Sequence, residues 1–417
     1  MKKTISIIAA CIAAAASADL MDRPTGFRVG KHLTLKPYVS MSYTYDSNAD
    51  SSAKRDTRGY SSWCVQPGID FTHKGNGWDL LGGVFYTYHA YNRNVHSMDS
   101  SSYGERLSYS WSNQDSGTGW ALTLNETYTK ISQDDDMTND GGRGIGRDRT
   151  QATVGGVLER RVNERWHGNV NAGYYYLDYD NDSNKYAPLY GWTRWNVGAE
   201  AGYVASKWTD FLVTADYQGY TQDNDRDRDW VTPGAVARGG RYASDSKGWK
   251  IHAGIGSHAT ERISYRALIG WTHFDYAHAH ECDGATYSLS GKWVMSDNWM
   301  MMALAQSYYH PSERNYGSAI RTDSASLGIS HSMVRNKLTA TFDVAYRHQQ
   351  HEYSERSDAD YDNDIITARL GMNWVLNRFV TTFARAEYQK QFSDGSAGRA
   401  DWDYDRWRGT IGLRLTY

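Results

Sequence analysis

The chain has 417 residues, a formal charge of −3, 22% charged residues and a mean hydropathy of −0.70. That balance is too mild to imply a nucleic-acid partner, and no basic patch with interleaved aromatics stands out. Hydrophobic residues make up only 40% of the chain, and no segment beyond the N-terminus is long and apolar enough for a transmembrane helix, whereas 32 Tyr, 16 Trp and 39 Gly against 6 Pro are far from ordinary.

The N-terminus reads as an export leader. Lys2 and Lys3 are a short basic region, Ile5 to Ala16 is a mostly apolar run, and Ala16-Ser17-Ala18 is an A-x-A cleavage signature. The predicted signal peptide is 1–18, with Asp19 as the first mature residue. The apolar run is too short to span a bilayer as a helix. A lipoprotein box at Ile8-Ala9-Ala10-Cys11 is the rival reading, but it leaves a cramped apolar region and strands a further apolar stretch after Cys11. Of the three cysteines, only Cys64 and Cys282 then remain. An oxidising compartment permits one bridge between them, and spacing cannot decide whether it forms.

After a short periplasmic lead-in at 19–32, runs of about ten to fourteen residues with period-two hydrophobicity alternate with connectors. The first run puts Leu33, Leu35, Val39, Met41, Tyr43 and Tyr45 on one face, and Thr34, Ser40, Ser42 and Thr44 on the other. The second sets Trp63, Val65, Ile69 and Phe71 against Ser62, Cys64, Gln66, Asp70 and Thr72. The last sets Trp407, Ile411, Leu413, Leu415 and Tyr417 against Arg408, Thr410, Arg414 and Thr416. Globular strands average about five or six residues. A tilted strand needs roughly nine to eleven to cross hydrocarbon.

Connectors alternate in length. Lys74-Gly75-Asn76-Gly77, Asn163-Glu164-Arg165, Ser206-Lys207, Ser296-Asp297-Asn298 and Asn377-Arg378 are short and turn-like. Asp46 to Gly59, Ser132 to Asp148 and Thr221 to Ser246 are long and polar. Short turns at one rim and long loops at the other are the plan of a bacterial outer-membrane barrel. The expected fold is therefore an all-β transmembrane antiparallel up-and-down barrel over 33–417. It should have about 18 strands (16–18), periplasmic turns and extracellular loops.

Aromatic punctuation supports this. Trp78, Trp120, Trp166, Trp208 and Trp299 each follow a short connector, and Ile263, Leu338 and Phe379 hold the equivalent place elsewhere. Eight to ten residues on come Tyr88, Tyr128, Tyr176, Tyr217, Trp271, Tyr308, Tyr346 and Tyr388. On a tilted strand that separation spans roughly 20 to 25 Å, the height of an apolar band between two aromatic girdles. A propeller would also repeat at this period, but its blades need four short strands, and each repeat here holds two long ones. One segment resists the scheme: Glu126 and Lys130 share a face with Leu122 and Leu124. Glu126 must then lie near the headgroups, contact a neighbouring subunit or mark a change of parity.

At the first strand a resemblance emerges. Leu35-Lys36-Pro37-Tyr38-Val39-Ser40-Met41-Ser42-Tyr43-Thr44-Tyr45-Asp46-Ser47-Asn48 resembles the opening strand of the putative β-barrel porin 2 family, which ends in a tyrosine, an aspartate and an asparagine. The resemblance implies an outer-membrane barrel with poorly defined solutes and no catalytic residues. The alternating aromatic and aliphatic residues that end on Tyr417 likewise resemble the sorting strand by which the barrel-assembly machinery recognises its clients.

Three constellations bear on chemistry. His278, His280 and Cys282 alternate and could converge on a metal, but their spacing matches no zinc pattern. Asp223 to Asp229 offers alternate oxygens for calcium, yet Arg228 stands where the loop glycine belongs. No nucleophile motif or triad is legible, so no enzyme, no metal and no cofactor are expected. Alternation puts Arg266, Arg347, Arg369, Arg385, Arg408 and Arg414 inward, together with Asp70, Asp79, Glu159, Glu200 and Asp216. The arginines of the last four strands could face the acids of earlier strands as a basic and an acidic wall, or all could pair locally. A barrel of sixteen to eighteen strands is wide enough for water, so the expected role is passive diffusion of small hydrophilic solutes. The rival is a non-transport barrel in adhesion, surface-polymer attachment or export. Outer-membrane lipid is the expected surrounding, and further copies of the chain are compatible with the pattern.

Overall fold

A computed structural model describes residues 26–48, 59–91, 99–114, 118–134, 147–179, 191–222, 245–257, 262–276, 281–311, 319–335, 337–352, 361–395 and 403–417. The leader, the candidate calcium loop Asp223 to Asp229, and His278 and His280 lie outside these residues.

The described chain is all β-strand. A short β1 (Phe27–Val29) precedes eighteen long strands: β2 (Leu33–Asp46), β3 (Tyr60–Lys74), β4 (Trp78–Tyr91), β5 (Ser100–Ser112), β6 (Gly119–Asp134), β7 (Arg147–Arg161), β8 (Trp166–Tyr179), β9 (Trp192–Ser206), β10 (Thr209–Gln222), β11 (Ser246–Ser257), β12 (Ile263–Tyr276), β13 (Cys282–Ser296), β14 (Trp299–Pro311), β15 (Ala319–Val334), β16 (Leu338–Glu352), β17 (Tyr361–Val375), β18 (Val380–Gly395) and β19 (Tyr404–Thr416). From β2 onward each pairs antiparallel with the next. β19 then pairs with β2, from Arg408 opposite Asp46 to Thr416 opposite Tyr38, and closes an 18-stranded barrel.

β1 lies within the segment read as a lead-in. It pairs with Leu33 to Leu35 of β2, on the edge that β19 leaves uncovered. The Phe27 ring stacks on Tyr417 at 4.6 Å, and the Tyr417 N–H donates to the Pro37 carbonyl at 3.1 Å. β1 thus prolongs the last strand and covers what would otherwise be an open edge.

The short turns are built by small polar side chains. The Asn163 carboxamide oxygen accepts from the N–H groups of Arg165 and Trp166, both at 2.9 Å. Asn377 does the same for Phe379 and Val380 at 2.8 and 3.0 Å. Ser206 accepts from the Trp208 N–H at 3.1 Å, and Asn113 from the Trp120 N–H at 2.7 Å. Asn163, Asn377 and Ser206 thus form Asx- and ST-type turns, whereas Asn113 reaches a residue seven positions on. Gly77 has φ +77°, which a side chain would strain. Because the turn residue binds the backbone of the aromatic after it, the aromatics fall at a fixed place beside each turn.

Side chains from non-adjacent strands meet on one face of the sheet, which is the concave, inner one. Arg266 of β12 reaches Glu200 of β9 across two strands, and Arg414 of β19 reaches Asp70 of β3 across β2 at 2.8 Å. The outer face carries the large exposed apolar side chains, among them Met41, Trp63, Ile69, Val84, Val213, Ile269, Leu370 and Ile411. Alternation runs unbroken through β6, so no parity change explains Glu126. Glu126 lies outward, opposite Leu107 and Val154, and Glu105 on β5 lies outward beside it, opposite Tyr128.

At the loop end of the closing seam sits a clasp. The Asp46 carboxylate accepts from Arg406 Nε at 2.8 Å and Nη2 at 2.5 Å, from Arg408 Nε at 3.1 Å and from the Asn48 N–H at 3.1 Å. The Asn48 amide donates to the Asp405 carbonyl at 3.2 Å, and Ser47 and Trp407 exchange hydrogen bonds of 2.8 and 2.7 Å. Removing one partner of such a shielded, bidentate pair typically costs about 3–5 kcal/mol. Asp46→Ala is therefore expected to yield a barrel that loses its heat-modifiable gel migration at a lower temperature than the parent. An unchanged transition would show that the clasp contributes nothing to closure.

Candidate functional site

The candidate site is the barrel lumen. At the turn end it opens into a cavity of about 1090 Å³, lined by β2 to β6 on one side and β13 to β19 on the other. Its floor is polar: Ser40, Ser42, Cys64, Gln66, Ser108 and Asn125 face Thr339, Asn373, Thr381 and Thr410. Toward the loop end the inner face is shielded instead. Phe274, Thr286, Thr322, Gln349, Asn363, Gln391 and Tyr404 are each at most 2% exposed. The lumen therefore has a wet half and a packed half.

Within the packed half, arginines and tyrosines from several strands form a layer. The Arg194 guanidinium on β9 lies 5.9 Å from the rings of both Tyr175 and Tyr220. Tyr308 of β14 is hydrogen-bonded to Thr322 and has Arg347, Tyr220 and Arg194 as electrostatic neighbours. Arg347 in turn neighbours Tyr404 and Arg369. The layer thus runs from β8 to β19 and links walls that are far apart in strand order. Tyr308 was expected in the outer girdle. Its register opposite Thr322, with Thr322 opposite Gln349 and Ser324 opposite Arg347, puts it inside instead.

The inward candidates fall as follows. Register places Asp70, Asp79, Glu159, Glu200, Asp216, Arg266, Arg347, Arg369, Arg385, Arg408 and Arg414 on the inner face. They do not form two bare walls of opposite sign. Asp70 is held by Arg414 at 2.8 Å and Arg106 at 2.7 Å. Glu200 is held by Arg266, and Asp216 by Lys250 at 3.3 Å. Glu387 is held by Arg369 at 2.5 Å and lies 4.0 Å from Arg408. Closure explains the pairing of Asp70: β19 and β3 are distant in sequence but next-but-one neighbours in the ring. Arg106, Arg194, Lys250 and Arg406 were not singled out from the sequence. Their alternation signal was present, but what they meet depends on strands that sequence order does not bring together.

On the outer face Trp78, Trp120, Trp166 and Trp299 open β4, β6, β8 and β14, and Trp208 sits just before β10. Trp120 lies under the Arg160 guanidinium at 4.3 Å, and Trp166 packs on Tyr203 at 4.9 Å. Tyr88, Tyr128, Tyr176, Tyr217, Tyr346 and Tyr388 lie outward near the loop ends of their strands. Three of them donate to a neighbouring acid: Tyr88 to Asp99 at 3.3 Å, Tyr346 to Asp364 at 2.6 Å and Tyr388 to Asp405 at 3.1 Å.

A family model, Putative beta-barrel porin 2, matches residues 202–417, from the end of β9 to the C-terminus. The chain belongs to that family. The opening strand that carries the resemblance in the sequence lies outside the matched stretch, so the two observations are independent. No curated protein matches the sequence. Among solved structures, the siderophore receptor PirA from Pseudomonas aeruginosa is similar at 7% identity and TM-score 0.46, over 95% of this chain and 81% of that one. The FrpB iron transporter from Neisseria meningitidis is similar at 8% identity and TM-score 0.47, over 93% and 82%. Nothing of those proteins' ligands passes to this chain at such scores. Family and fold place this porin-family barrel in the outer membrane.

Of the metal candidates, only Cys282 lies among the described residues. Cys282 is buried on the inner face, opposite Phe274, in a cluster with Tyr220, Tyr276 and Tyr309. His273, Asp275 and Glu281 have potential ligand atoms within 4.8 Å of one another, but Asp275 and Glu281 are exposed at the rim. Cys64 and Cys282 are not bridged to each other. Cys64 lines the wet cavity, whereas Cys282 does not. A small, charged methanethiosulfonate reagent is expected to label Cys64 but not Cys282 in the assembled barrel, and both after denaturation. Peptide mapping by mass spectrometry reads this out, and protection of Cys64 would mean that the cavity is closed to solutes.

Proposed function

We propose that this barrel is a passive channel for small hydrophilic solutes. The observation that carries the reading is the wet cavity: an apolar outer wall encloses polar and charged side chains around about 1090 Å³ of open lumen. A wall built this way suits water-filled passage. The Arg194, Tyr220, Tyr308, Arg347 and Tyr404 layer is the narrow part of the path and sets the size limit. Transport of this kind requires no catalysis, and the ion pairs along the lumen hold the wall rather than activate a nucleophile. Lipid surrounds the apolar band. The C-terminal strand ending at Tyr417 presents the barrel to its assembly machinery. Association with further copies is part of the same proposal.

The rival, a barrel serving adhesion, surface-polymer attachment or export, is favoured by one observation: the shielded inner face of the extracellular half. Single-channel recording in planar bilayers separates the two. Discrete conductance steps are expected from the refolded chain. Tyr308→Ala and Arg347→Ala should each enlarge the steps, because they thin the narrow layer. An assembled barrel without steps would leave the rival standing.

A further inference from the structure

The cavity at the periplasmic end is lopsided in charge. Asp70 is its inward acid on the wall, and two arginines, Arg106 and Arg414, hold it. One negative charge between two positive ones leaves that cluster cationic. Around it stand five further cations that line the same cavity: Lys36 on β2, opposite Asp70 in register, Arg385 on β18, Arg335 and Lys337 in the turn between β15 and β16, and Arg378 in the turn between β17 and β18. Arg385, Arg335, Lys337 and Arg378 have no carboxylate at salt-bridge distance among the described residues. Besides Asp70, the acids along the cavity are Asp297, in the turn between β13 and β14, and Glu126, whose register turns its side chain to the outer face. This excess sits in a chain whose formal charge is −3.

Arg385 occupies a telling position. Its register partners are Gly371 and Thr410, both small, so the space in front of its guanidinium is open. Glu387, two residues along on the same face, is engaged by Arg369 instead. The Arg385 guanidinium lies 5.4 Å from the centre of the Phe383 ring. A guanidinium with free donors beside an aromatic ring can bind a carboxylate or phosphate oxygen in its planar fork while the ring covers the apolar part of the same molecule. Low-dielectric walls around an aqueous cavity focus the field of uncompensated charges along the path.

We propose that this vestibule makes the channel selective for small organic anions, with Arg385 as the wall site they meet and Arg335, Lys337 and Arg378 as the cationic collar of the mouth. The inference rests on the channel reading and names its solute class. Anions are concentrated at the periplasmic mouth and step along unpaired donors, whereas cations of similar size are held back. The paired acids farther along the wall, Glu200, Asp216 and Glu387, contribute little, because each is held by an arginine or a lysine.

The test is the zero-current potential under a potassium chloride gradient, repeated with potassium acetate. Both arms run near 0.1 M salt, where the screening length is about 10 Å and the vestibule charges act across the opening. The native barrel is expected to show the sign of an anion-preferring pore with both salts. Arg385→Glu combined with Arg335→Glu and Arg378→Glu should reverse that sign. Should the wall substitution prevent assembly, judged by heat-modifiable migration, Arg335→Glu with Arg378→Glu changes only turn residues and should still move the potential toward cations. A conducting native pore that favours potassium, or shows no preference, overturns the inference and leaves the channel reading intact. So does a native preference that none of these substitutions moves. An assembled barrel that never conducts overturns both.

Discussion

Every strand of this barrel depends on one hydrogen-bonded seam, the pairing of β19 with β2. In lipid an unpaired strand edge leaves N–H and C=O groups with no partner, so an antiparallel sheet is viable there only when it closes on itself. Closure must also fix register, since a slip by one residue would exchange the inner and outer faces of every strand. At the loop end the clasp of Asp46, Asn48 and Arg406 supplies that register. At the turn end β1 and the Phe27–Tyr417 stack finish the edge where β19 stops. The inward set of arginines and acids exists as a set only because this seam holds.

Much of the fold was legible in the sequence, because its causes are local. Period-two alternation in β2, β3 and β19 reports a wall with one apolar face, and strand length reports the bilayer. Asn163, Ser206 and Asn377 mark the turns because their side chains bond the backbone of the next two or three residues. Inner and outer faces follow from the same alternation, residue by residue. What the sequence did not show is what meets across the ring. Asp70 and Arg414 are 344 positions apart, and only closure makes them neighbours. Tyr308 was read outward from its distance to Trp299, but aromatic spacing alone does not carry parity, whereas register does. The three-residue β1 is too short to have a period. The shielding of the extracellular half arises from tertiary packing, of which no local pattern is a sign.

The lumen combines two strategies for keeping charge beside a low-dielectric wall. Most acids are neutralised where they stand, Glu200 by Arg266 and Asp216 by Lys250, which holds the wall without leaving a strong field. A minority of cations near the periplasmic mouth are left uncompensated and open to solvent. Pairing is thus concentrated in the transmembrane wall, and free charge where a solute would enter or leave. The outer face repeats the logic with tyrosines: Tyr346 and Tyr388 place hydroxyls on Asp364 and Asp405 near the loop ends, so acids at the interface are partnered as well.

The clasp also sets a timetable. Its partners stand 360 residues apart, so the loop between them takes in nearly the whole barrel. Loop-closure entropy must be met before such a contact contributes anything, and chains dominated by distant pairings fold slowly. All the other barrel pairings join consecutive strands and can form hairpin by hairpin. The seam cannot form until the final strand has been made and delivered. Until then β2 and β19 are both exposed edges, able to pair with a foreign strand. A barrel of this design therefore spends its assembly as an open sheet and becomes a closed object in its last step.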